Sequence, residues 1–132
     1  MITLRELLSG RLINDIPISH QFNLEELLQK MNVIRLSYGK PMTITSGYRS
    51  QQDHLRIYSQ RNIHPPHVPM GSQHLIGGAC DILDRSGELM QWCRDNVPLL
   101  ESTGLWIEDD PSQPRVHFQI NPPRSGNRFF KP

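Results

Sequence analysis

The run Ala79-Cys80-Asp81-Ile82-Leu83 sets a carboxylate in the middle of an otherwise apolar stretch that reads as a strand. Successive strand side chains point to opposite faces, so Cys80 and Ile82 share one face while Asp81 takes the other. The same alternation recurs near the end of the chain. There Val116, Phe118 and Ile120 fall on one face, and His117 and Gln119 on the other. Two strands of this kind fit a sheet with a core on one side and polar chemistry on the other.

The chain has 132 residues, which fits a single domain over 1–132 with a modest core. It contains no internal repeat, low-complexity tract or obvious linker. Hydrophobic residues make up 36 %, and Pro 11 and Gly 9 point to much loop and short strands. A formal net charge of +1 gives no reason to expect nucleic acid or an anionic membrane as partner. No apolar stretch approaches the ~20 residues of a membrane span. Met1 to Leu8 carries Glu6 and lacks a long apolar segment, so it is not a signal peptide, and the expectation is cytoplasmic synthesis. The two cysteines, Cys80 and Cys93, are not in a Cys-x-x-Cys pair and read as reduced, buried thiols. A monomer is expected.

Residues 24–38 hold the clearest helical pattern, with Leu24, Leu27, Leu28, Met31, Ile34 and Tyr38 on one face, Asn23 as cap and Glu26 completing a capping box. Gly39-Lys40-Pro41 stops it. Residues 42–45 read as a short strand, and Ser50 caps a helix over about 51–61. A proline-rich loop spans 62–71. Ser86 opens a third helix carrying Leu89, Trp92 and Cys93. Pro98 starts a further turn that Gly104 ends. Residues 105–108 and 115–120 form a hairpin around a six-residue loop, 109–114. The tail, 121–132, is expected to run extended over the surface. Helices in the first 40 residues, then a small antiparallel sheet with helical insertions, predict an α+β fold.

Imidazole and carboxylate together suit Zn²⁺, and three protein ligands leave a position open for water. His74 precedes the Asp81 strand across Gly77-Gly78, which let the chain turn back so that the two can meet. Taken alone, a His-x6-Asp spacing with a distant His is weak. His74 as a hydrogen-bonded loop residue and Asp81 as a turn or cap carboxylate fit the same residues.

Three separated segments narrow the choice. Ser72-x-His74-x-x-Gly77-x-Ala79-x-Asp81, with Ser46-Gly47-Tyr48-Arg49-Ser50 upstream and His117 downstream, resembles the D-alanyl-D-alanine carboxypeptidase and dipeptidase family of zinc peptidases. The fold of that family is shared by the hedgehog signalling domain. The ending, His117-Phe118-Gln119 and then Pro-Pro-Arg-Ser-Gly-Asn-Arg-Phe-Phe, is similar to small phage-encoded members. The resemblance implies that His74, Asp81 and His117 hold zinc and that Arg49 binds the substrate carboxylate or the developing oxyanion. Arg49 as a structural ion-pair residue is the alternative. Ser72 reads as a loop hydrogen-bonder.

The family places a glutamate three residues before its last ligand, and here that position is Pro114. A hydrolase still needs a general base. If Glu108 pairs with Arg115 across the loop, Trp106 pairs with His117, and Glu108 becomes a diagonal neighbour of His117. Asp109 and Asp110 are rivals, and an ion pair with Arg115 is the plain alternative for Glu108. His64 and His67 read as solvated loop residues. His20 and His54 have no supporting context. Trp106 is a cleft wall or a core residue. Arg124, Arg128 and Lys131 read as a solvated terminus. The resemblance thus implies zinc-dependent hydrolysis of a peptidoglycan stem peptide, after release to the wall or as part of a virion. A zinc-holding phage protein without hydrolysis, favoured by Pro114, and a peptidase of free dipeptides are the alternatives.

Overall fold

Leu24, Leu27, Met31 and Ile34 recur at helical spacing and form one buried face of the longest element, α2, Ile18–Tyr38. The structure, a computed structural model, describes residues 1–132. Helix α2 starts well before the expected 24. Pro17 precedes its first turn, and the Pro17 carbonyl accepts from the backbone N–H of His20 and Gln21. The Gln21 side chain also donates to the carbonyls of Ile13 and Ile16, which anchors the entry into the helix. Asn23 is therefore no cap. Its side chain donates to the Ile76 carbonyl at 2.9 Å, and Glu26 pairs with Lys30. A capping box does exist, but upstream, where Thr3 and Glu6 start helix α1, Leu4–Leu7.

The sheet has five strands: β1, Ile44–Ser46; β2, Ala79–Leu83; β3, Trp106–Glu108; β4, Arg115–Gln119; and β5, Phe129–Phe130. Their order is β1-β2-β4-β3-β5. The first four pair antiparallel, whereas β5 runs parallel to β3. The fold is α+β as expected, but the sheet is mixed, and the tail is not a loose surface segment. It returns to the sheet because Phe129 and Phe130 find an open edge on β3. The Arg128 guanidinium lies 3.8 Å over the Trp106 ring, and Lys131 pairs with Asp109. Arg128 and Lys131 are thus bound to the fold, and Trp106 is half-buried beneath Arg128.

One face of the sheet carries Cys80, Ile82, Ile107, Val116 and Phe118, all buried in a core cluster with the α2 face and Leu100. Burying side chains such as Phe118 or Ile107 contributes about 1.5–3 kcal/mol each, which fixes the strand register because a one-residue slip would turn them to the polar side. Helix α3, Gln51–Ser59, is capped by Ser50, whose hydroxyl accepts from the Asp53 N–H at 3.1 Å. Helix α4, Glu88–Asp95, takes its main N-terminal bonds from Asp84, whose carboxylate accepts from Leu89 and Met90. Ser86 reaches only Glu88. A carboxylate wins this place because it has two acceptor oxygens and suits the positive helix end. Helix α5, Val97–Thr103, ends at Gly104 as expected. No helix is long and apolar enough to cross a membrane.

Candidate metal centre

The polar face of the sheet is built by strand pairing. Asp81 lies opposite His117 across β2 and β4, and Ser46 is the β1 partner of Asp81. His74 arrives from a 3₁₀ turn, Gln73–Ile76, where the Ser72 hydroxyl accepts from the His74 N–H at 3.3 Å. Gly77 closes this turn at φ +79°, and a Cβ there would stand 2.8 Å from the His20 carbonyl oxygen. Only glycine meets both conditions. The tight reversal returns the chain into β2 with His74 beside Asp81.

Possible ligand atoms of His74, Asp81 and His117 all lie within 4.8 Å of one another, and the three residues are buried. Asp81 Oδ1 is 3.3 Å from His74 Nε2 and 2.9 Å from His117 Nδ1. Donors around a tetrahedral zinc with bonds of about 2.0–2.1 Å stand roughly 3.3 Å apart, so the spacing fits. The outer nitrogens settle the chemistry of the donor set. His74 Nδ1 lies 2.9 Å from the Gly47 carbonyl oxygen, which only accepts, so Nδ1 carries the hydrogen. His117 Nε2 lies 2.8 Å from Gln119 Oε1, and the Gln119 amide is oriented by donating to the Asn121 carbonyl. In neutral imidazoles the inner nitrogens, His74 Nε2 and His117 Nδ1, therefore direct lone pairs at a carboxylate oxygen. Three lone-pair donors converging in this way call for a cation between them, and the residues fit a divalent metal.

Burial pushes the His74 imidazole below its ordinary value, more than the neighbouring Asp81 raises it. Burial alone would raise Asp81, but in the metal-free site a proton on an inner nitrogen of His117 or His74 takes the place of the cation, and its bond to the carboxylate outweighs burial and holds the carboxyl well below the usual range. Both shifts favour the metal-binding protonation states.

The remaining Asp81 oxygen faces two guanidinium groups, Arg115 Nε at 3.5 Å and Arg49 Nη2 at 4.0 Å. Arg49 Nε donates to Ser46 Oγ at 3.2 Å, and Nη1 meets Nδ1 of the buried His54 at 3.3 Å. Arg115 also reaches Glu108 at 3.5 Å. Arg49, Asp81, Glu108 and Arg115 line one cleft of about 720 Å³, together with Tyr58, Pro69 and the tail residues Arg124 and Phe130.

The hairpin register departs from expectation. Glu108 pairs with His117, Ile107 with Phe118 and Trp106 with Gln119. The shift is by two positions, so the faces are kept, but Glu108 becomes the direct neighbour of His117. Residues 109–116, instead of 109–114, now stand between the paired ends of β3 and β4, and Asp110 folds part of this span locally, accepting from both the N–H and hydroxyl of Ser112. Asp109 is occupied by Arg94 and Lys131. Asp110 lines the cleft, whereas Pro114 lines a neighbouring groove. His64 and His67 are exposed, as expected. His54 has no context in the sequence, and only its burial in the fold reveals it. Gln119 was placed on the polar face, with no signal that it would hold His117.

No curated protein and no solved structure matches the chain. A family model described as Peptidase M15 matches residues 3–99, well over half of the chain, including Arg49, His74 and Asp81 and ending before β3. With that match, the chain belongs to the Peptidase M15 family of D-alanyl-D-alanine carboxypeptidase-like zinc peptidases.

Proposed function

We propose that this M15 peptidase hydrolyses a peptide bond in the stem peptides of bacterial peptidoglycan, with His74, Asp81 and His117 holding Zn²⁺. One observation carries the reading: two imidazole lone pairs and a carboxylate oxygen converge in a cleft that also holds Glu108. Bound there, zinc would supply a Lewis acid and lower the pKa of water toward about 7. Glu108 holds the proton taken from the attacking water and passes it to the leaving amine. Arg49, fixed on its inner side by Ser46 and His54, binds the substrate carboxylate or the oxyanion. Arg115 bridges Asp81 and Glu108 and keeps both carboxylates in place. The likeness of the ending to small phage-encoded members supports a phage source, as an endolysin or a virion component.

The test is release of peptide or amino-acid termini from purified cell walls, with and without a chelator and with zinc restored. Chelator-sensitive, zinc-restored release is expected. Release that survives full metal removal overturns the proposal. Pro114 in the family's glutamate position favours a second reading, a zinc-holding wall-binding protein without hydrolysis. Zinc-dependent co-sedimentation with walls that stay uncleaved is the outcome that selects it.

A further inference from the structure

Arg49 is more tightly held than substrate binding by a surface arginine requires. Its backbone N–H donates to the His74 carbonyl at 3.0 Å, and Nε donates to Ser46. The third hold comes from outside the cleft. His54, on α3, has 0 % exposure and no place in the cleft lining. Its Nε2 lies 2.7 Å from the Pro69 carbonyl oxygen. That oxygen only accepts, so Nε2 carries the hydrogen and Nδ1 presents a lone pair. The lone pair faces Arg49 Nη1 at 3.3 Å. The Tyr58 ring packs on His54 at 4.8 Å between centroids and fixes its plane.

We propose that His54 is a positioning residue, which aims the Arg49 guanidinium into the cleft and ties it to the proline-rich segment around Pro69. This rests on the proposed role of Arg49 and goes beyond it. An arginine has four rotatable bonds, and each one frozen before substrate arrives is a cost removed from binding. The same chain of hydrogen bonds joins two cleft walls, Pro69 to His54 and His54 to Arg49.

Substitutions separate this from a plain core role. His54→Gln keeps an amide N–H in reach of Pro69 but removes the acceptor from Arg49. His54→Asn keeps an acceptor near the place of Nδ1 and gives up Pro69. In a cleavage assay on a stem peptide, His54→Gln is expected to keep its zinc and its fold yet lose about 10–100-fold in kcat/KM, as a misplaced guanidinium would. His54→Asn should retain more activity than His54→Gln, and His67→Ala, in the exposed loop, should match the wild type. Adding Arg49→Lys to His54→Gln should cost far less than Arg49→Lys costs alone. Additive losses, or a fully active His54→Gln beside a crippled Arg49→Lys, overturn the positioning role while leaving Arg49's role intact. A harmless Arg49→Lys overturns both. A readout independent of activity is the ¹⁵N spectrum of the His54 imidazole in the metal-free protein. A proton on Nε2 with Nδ1 accepting is expected, and the opposite tautomer overturns the proposal.

Discussion

Glu108 stands directly across the β3–β4 pair from His117, so the second carboxylate of the polar sheet face, beside Asp81, is the neighbour of a candidate metal ligand. Directly opposed side chains share a face and approach within roughly 4.5–5.5 Å at Cβ. That neighbourhood is the ground for proposing Glu108 as the general base. Glu108→Gln is expected to leave zinc content and thermal stability nearly unchanged and to lower the cleavage rate about 10²–10⁴-fold. Asp109→Asn, whose carboxylate is spent on Arg94 and Lys131, should remain active. Full activity in Glu108→Gln with loss in Asp110→Asn would move the base to the loop.

His74→Ala or His117→Ala should each abolish stoichiometric zinc, since two ligands are too few for the usual site. Gln119→Leu is the subtler variant. It removes the acceptor that fixes the His117 ring, and such outer partners typically change metal affinity about 10–100-fold. Competition with a chromophoric chelator measures all three. Undiminished affinity in Gln119→Leu would show that packing alone orients His117.

Gly47 joins the site to the N-terminal helix. A Cβ at this position would stand 2.3 Å from the Leu7 carbonyl oxygen. Retreat is blocked, because Tyr48 N–H donates to that same oxygen at 2.8 Å and the Gly47 carbonyl accepts from His74. Gly47→Ala is therefore expected to destabilise by about 1–3 kcal/mol, the range of overpacked sites, and to weaken zinc binding with it. Calorimetry with and without zinc checks both. An unchanged melting temperature would mean that α1 can shift freely.

Much of this was legible because alternation and spacing are local. The polar and apolar faces of β2 and β4 follow from single residues, and Gly77 announces a reversal. Less legible was whatever depends on partners distant in sequence. The two-position shift that sets Glu108 against His117 goes with a span that Asp110 and Ser112 fold locally. Asp84 outcompetes Ser86 as the α4 cap only because the β2 exit aims its carboxylate at two free N–H groups. The tail looked solvated because neither the open β3 edge nor the Trp106 ring under Arg128 exists before the sheet forms. His54 is invisible from sequence for the same reason: its two partners come from a strand–helix junction and a loop.

Cys80 and Cys93 are both completely buried. Burial pushes the Cys93 thiol up to about 12 and Cys80 higher still. The thiolate is the reactive form, so neither should react with a thiol reagent in the native protein, and both should react in denaturant. Rapid native labelling of one thiol would expose an opening of α4 or β2.

The metal-free protein should be acid-labile in a defined direction. Burial, opposed in part by Asp81, holds folded His74 below the 6.5 of an ordinary histidine. Unfolding exposes the ring and restores that value. Below about pH 6.5 the unfolded chain therefore binds more protons than the folded one at this residue, and stability falls as pH falls. The contribution is complete above 6.5 and is lost downward from there. Asp81, also held below its ordinary value, acts in the same sense in a lower window, beneath about pH 4. Urea midpoints of chelated protein between pH 7.5 and 5 should decline, and His74→Gln, which cannot titrate, should flatten the profile. Zinc should protect across the same range, because it binds the folded state with His74 neutral and adds RT ln(1 + [Zn]/Kd) to stability. An unaltered slope in His74→Gln would assign the acid sensitivity to another group and remove buried His74 from the explanation.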